Sequence, residues 1–130
     1  MTPQMDMIGL HVRDMAASLA FYRRLGLEFP EGAENEVHVE TTLPGGLRVG
    51  FDTHEVMESF DPGWKPAQAG TSFTVCFLVD SPAEVDALYA ALTEDHEGHL
   101  EPWDAFWGQR DAIVRDPDGN DVALFAPLAG

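Results

Sequence analysis

Hydrophobic positions change period along this chain in an order that occurs twice. Met7 to Val12 (MIGLHV) is apolar apart from His11 and reads as a strand. Asp14 then stands as N-cap of a helix through Leu25, where Leu19, Tyr22 and Leu25 recur at three-residue spacing and Phe21 with Leu25 at four. Side chains so spaced share one face, and Gly26 follows at the stop position. Leu27 to Phe29 begins a second strand, and an acidic loop runs to Asn35. Val37 to Leu43 alternates as a third strand, Pro44-Gly45-Gly46 reverses the chain, and Leu47 to Asp52 returns as a fourth. Residues 1–53 therefore predict a β-α-β-β-β module.

Residues 54–70 have no sustained period and carry Pro62, Gly63 and Pro66, which predicts a linker. Its Trp64 is large and apolar, so the loop is expected to pack onto something. Thr71 to Val79 is a continuous β-type run. Ser81, Pro82 and Glu84 then supply an N-cap, a first-turn proline and a capping box for a helix to about Thr93. His99 to Ala105 reads as a strand. Trp107 to Pro127 reads as a hairpin about Asp116-Pro117-Asp118-Gly119, where Asp accepts, Pro fixes φ and Gly takes φ > 0. Arg110 and Arg115 are placed to brace that turn through Asp116 or Asp118. Residues 71–130 thus predict a second β-α-β-β-β module. Val12-Arg13-Asp14 aligns with Leu78-Val79-Asp80, and Phe21-Tyr22 with Leu88-Tyr89, at offsets of 66 and 67.

The segments HVRDMAASLAFYRRLGLEF and VRDPDGNDVALF, at opposite ends of the chain, resemble the vicinal-oxygen-chelate superfamily of glyoxalase I, bleomycin-resistance proteins and extradiol dioxygenases. The resemblance spans essentially the whole chain and implies an α+β fold. Paired βαβββ modules would form a curved mixed sheet around a pocket, within one chain or across a homodimer. Metal-dependent members hold an ion with four side chains, typically His, Glu, His and Glu. Carried over by motif, those positions are Met7, Gly50 (with Asp52 close by), Thr74 and Ala123. Methionine is a soft ligand, and glycine and alanine offer none, so this departure from the family pattern implies a metal-independent member without cofactor, a divalent metal being disfavoured.

Composition adjusts this picture at a few points. The hydrophobic fraction of 45% is enough for a packed core. Twenty-three acidic and seven basic residues give a net charge of −16, which argues against a nucleic-acid partner and permits steering of a cationic ligand. No apolar run approaches the ~20 residues of a membrane span and no signal peptide is apparent, so no membrane partner and a cytoplasmic location are expected. A single cysteine, Cys76, rules out an internal disulfide.

Strand parity relative to the four carried-over positions nominates a ligand-binding set: Met7, His11, Asp52, Thr74, Cys76, Asp121 and Phe125, with Arg48 beside Asp52. Trp103, Phe106 and Trp107 are nominated as an aromatic wall. Each has a structural alternative: His11 as a hydrogen-bonded core histidine, Cys76 as a small buried residue, the aromatic trio as core or dimer interface. No nucleophile–base set is visible, and no glycine-rich phosphate loop. The sequence therefore predicts a metal-independent binder of a small-molecule ligand, for example a cationic or aromatic antibiotic. The alternative is a divalent-metal isomerase, lyase or dioxygenase with ligands relocated to His11, Asp52 and Asp121.

Overall fold

The strand expected at MIGLHV is β1 (Met7–Val12), and Asp14 does cap the helix after it: its carboxylate accepts from Ala17 N at 3.1 Å and starts α1 (Met15–Arg23). In this computed structural model the chain divides into two units, Met1–Ala67 and Gln68–Gly130, of which residues 1–67 and 72–128 are described. Of the regions read from the sequence, Thr71, linker positions 68–70 and the last two residues lie outside them.

In the first unit Gly26, at φ +94°, takes the chain off α1. Residues 27–29, expected as a strand, are irregular. They lie beside β2 (His38–Thr42), where Thr41 Oγ1 donates to Glu28 O at 2.7 Å, a single side-chain bond in place of a ladder. Phe29 turns inward onto Phe51, with ring centroids 5.4 Å apart, so its hydrophobicity serves the core. A short 3-10 turn at Ala33–Asn35 leads into β2, and β3 (Arg48–Thr53) follows. The sheet order is β1-β3-β2, with β1 parallel and β2 antiparallel to β3. Leu10, Val12, Val39 and Phe51 are buried with Leu19, Phe21 and Tyr22 of α1.

Residues 54–60, read from the sequence as linker, form α2 (His54–Phe60). Thr53 starts this helix by accepting from Val56 N at 3.3 Å. It is too short to establish a helical period, which is why the pattern hides it.

The second unit holds the complete β-α-β-β-β order: β4 (Thr74–Leu78), α3 (Pro82–Leu92), β5 (Gly98–Ala105), β6 (Gln109–Arg115) and β7 (Asp121–Pro127). Ser81, one residue beyond Asp80, is the α3 cap, so the two halves align one position out of frame there. The sheet order is β4-β7-β6-β5, with β4 parallel to β7 and the rest antiparallel. It repeats β1-β3-β2 with one strand added, and the irregular stretch at 27–29 stands where the first unit lacks its fourth strand. Even-numbered Ala112, Val114, Val122, Leu124 and Ala126 are buried with Val85 and Leu92 of α3. Arg110 shares that parity and reaches Asp86 on the helix at 2.9 Å and Asp104 at 3.0 Å. Arg115 pairs with Asp121 at 3.3 Å. Both partnerships run along the sheet and helix, where the sequence had suggested Asp116 or Asp118.

The expected turn is present, with Gly119 at φ +86° and its N–H donating to Asp116 O at 2.9 Å. The buried Asp116 carboxylate accepts from Asp118 N, Asn120 N and Asn120 Nδ2 at 2.9, 2.9 and 2.8 Å.

Candidate functional site

In the first unit the pairing register fixes which nominated residues share a face. Met7, Gly9 and His11 of β1 stand beside Arg48, Gly50 and Asp52 of β3, with His38 and Glu40 of β2 opposite Asp52 and Gly50. The charged members form a continuous chain. Arg48 donates to Asp6 and to Glu40, Glu40 meets His38 Nε2 at 2.6 Å, and His38 Nδ1 meets Asp52 at 2.5 Å. Those hydrogen bonds, to Asp52 first and Glu40 second, raise the His38 pKa above its ordinary value and favour imidazolium. Glu40 is held below the usual carboxylate range by His38.

His11 is exposed and stands apart from that chain. The Trp64 indole N–H donates to His11 Nδ1 at 3.1 Å, and the two rings meet edge-on at 5.6 Å. Indole can only donate, so neutral His11 carries its proton on Nε2 and presents a donor outward. Trp64 also packs on His54 at 4.9 Å, the contact expected of a large apolar residue in this segment. A cleft of about 210 Å³ opens nearby along residues 30–40, and none of the residues nominated from the sequence lines it.

In the second unit, Thr74, Cys76 and Leu78 of β4 pair with Asp121, Ala123 and Phe125 of β7. Phe125 pairs in turn with Asp111 of β6, and Asp111 with Trp103 of β5. The row Leu78–Phe125–Asp111–Trp103 thus crosses all four strands. Its parity is opposite to the residues buried with α3, so it occupies the sheet face away from α3. Leu78 is 67% exposed, while Asp111 is buried at 9%.

No cation among the described residues pairs with Asp111. Burial raises its pKa above the ordinary aspartate value, tempered by the neighbouring Trp103 indole. That indole N–H is itself buried and finds no acceptor at hydrogen-bonding geometry. Partial desolvation, and secondarily the Asp111 charge, pushes the Cys76 thiol up, which disfavours the nucleophilic thiolate; the residue itself is exposed, where the sequence allowed a small buried one. Phe106 and Trp107 lie at the β5–β6 turn, 91% and 50% exposed. Their rings stack edge to face at 4.8 Å, and Trp107 meets Trp103 at 5.5 Å.

Of the functional candidates, Asp111, His38, Glu40 and Trp64 were missed in the sequence. Asp111 was recoverable. Counting back from the Asp116–Gly119 turn pairs Arg115 with Asp121 and hence Asp111 with Phe125, a residue already nominated.

The positions carried over for a metal offer few donors. Met7 folds over Gly50, its Sδ 2.9 Å from where a Cβ at that position would stand. Thr74 and Ala123 offer no strong ligand. In the relocated set, Asp52 is bound to His38 and His11 Nδ1 is taken by Trp64. Among the described residues no group of three or more His, Cys, Asp or Glu side chains is arranged to hold an ion.

The model of the Glyoxalase/Bleomycin resistance protein/Dioxygenase superfamily matches residues 4–124. The chain belongs to that superfamily. Solved structures show the same glyoxalase fold at low identity. A glyoxalase/bleomycin resistance protein/dioxygenase family enzyme from Burkholderia phytofirmans PsJN superposes with a TM-score of 0.81 at 23% identity, covering 97% of this chain and 100% of that one. A glyoxalase-related enzyme from Fulvimarina pelagi gives 0.80 at 20% identity, covering 96% and 88%. A glyoxalase/bleomycin resistance protein/dioxygenase from Nocardioides gives 0.75 at 23%, covering 100% and 87%. No curated protein matches the chain. No helix among the described residues is long and apolar enough to cross a membrane.

Proposed function

We propose that this glyoxalase-superfamily chain is a metal-independent small-molecule-binding protein that sequesters an aromatic or cationic compound, an antibiotic being the expected type. The observation that carries this reading is the state of the four carried-over ligand positions. Met7 lies over Gly50, and Thr74 and Ala123 sit on a sheet face that also presents Phe125, Leu78 and Trp103. Such a surface favours apolar and aromatic contact, with a few polar groups to set orientation.

The test is a thermal-shift screen of aromatic and cationic antibiotics on protein purified without chelator, run with and without EDTA, beside elemental analysis. At least one compound should raise Tm at a concentration well above its Kd, since ligand binding stabilises the native state. EDTA should leave that shift unchanged. Stoichiometric zinc, nickel, manganese or iron, with binding abolished by EDTA, would instead establish the metal-dependent alternative.

A further inference from the structure

A buried carboxylate without a counter-ion is costly in a folded protein, and its usual resolution is a partner. Asp111 stands in register between two aromatic residues, Trp103 on one side and Phe125 on the other, on the face of the second unit's sheet away from α3. Directly opposed side chains on neighbouring strands are separated by about 5 Å. A group seated on Asp111 would therefore meet both rings, and Leu78 continues the row as an exposed apolar surface. Arg110 and Arg115, the cations on the same strand, are committed to Asp86, Asp104 and Asp121.

We propose that Asp111 anchors an organic cation, a protonated amine or amidinium carried on an apolar body, with Trp103 and Phe125 as its flanking walls. The inference rests on the binding reading above and names the class of ligand. A carboxylate flanked by aromatic faces suits such a cation twice, by charge pairing and by attraction to the ring quadrupoles. It suits a bare divalent ion poorly, because hard ions require several oxygen donors and this row supplies one carboxylate. Burial already holds the Asp111 carboxyl above its ordinary pKa, and a bound cation would reverse that shift.

The experiment titrates 1-naphthylmethylammonium, 4-phenylbenzamidinium and the neutral 1-naphthalenemethanol into wild type, Asp111→Asn and Glu101→Gln at low salt. Affinity is followed by calorimetry and location by the Trp103 indole N–H resonance. Both cations should bind wild type at least about tenfold more tightly than the alcohol, as expected for a desolvated charge pair. Asp111→Asn should erase that difference, whereas Glu101→Gln, which removes one exposed charge elsewhere, should keep it. Should Asp111→Asn fold poorly, Phe125→Leu gives a second reading, weakening the cations by about threefold and the alcohol less. Equal affinity for cation and alcohol in wild type, or cation binding unchanged in Asp111→Asn, overturns the anchor and leaves small-molecule binding standing. Binding of none of the three compounds also overturns the anchor, and the binding reading then stands or falls on the antibiotic screen above.

Discussion

His38 is gripped by Asp52 from β3 and Glu40 from its own strand, with Arg48 and Asp6 completing the charge chain and His11 next in register beyond Asp52. Because its folded pKa is raised, its contribution to stability is whole below about pH 6.5, the ordinary histidine value, and fades as pH rises through the elevated folded value. The ring is partly exposed, so the contribution is under about 1 kcal/mol after screening. Wild type should therefore exceed His38→Gln in Tm by about 3 °C at pH 6, with the gap closing by pH 9. A gap that stays constant or widens with pH would show that the two carboxylates do not hold the proton. Residues such as His38 were hard to read in the sequence because their partners come from strands aligned only by register. Met7, His11, Thr74, Cys76 and Phe125 could be nominated by parity alone, since alternation within one strand needs no knowledge of its neighbour.

Elements with a strong local signal were legible to within a few residues: both long helices with their Asp14 and Ser81 caps, and the β6–β7 hairpin. Those decided by tertiary packing were not. Residues 27–29 have the composition of a strand, yet Phe29 is drawn to Phe51, and α2 is too short to show a period. The hairpin turn depends on one side chain: Asp116 gathers three donors within a buried corner. Asp116→Ala leaves those donors without their acceptor and should lower stability by about 3 kcal/mol, measured by urea denaturation. Asp116→Asn, which keeps one acceptor oxygen, should cost about half as much. If alanine costs less than about 1 kcal/mol, Gly119 and Pro117 set the turn by themselves.

For the whole molecule, a net charge of −16 is a property that individual ion pairs do not offset. Arg23, Arg48, Arg110 and Arg115 are each engaged by carboxylates, so the acidic excess falls on the remaining surface. Self-repulsion of this kind lowers stability and is screened within about 10 Å at 0.1 M salt. Raising sodium chloride from 20 mM to about 0.5 M should therefore raise Tm by a few degrees. A fall would mean that the surface pairs outweigh the repulsion. The topology has a separate bearing on how the chain is made. In each sheet the first strand pairs in parallel with the last, β1 with β3 and β4 with β7, across roughly 40 residues of intervening chain. On a ribosome, β1 must wait for β3 to emerge before it has a ladder, and β4 must wait for β7. Until then the nascent α1 and α3 have no finished sheet to cover, and the β4 side chains that folding partly buries, Val75 and Phe77, remain open to solvent and to chaperones.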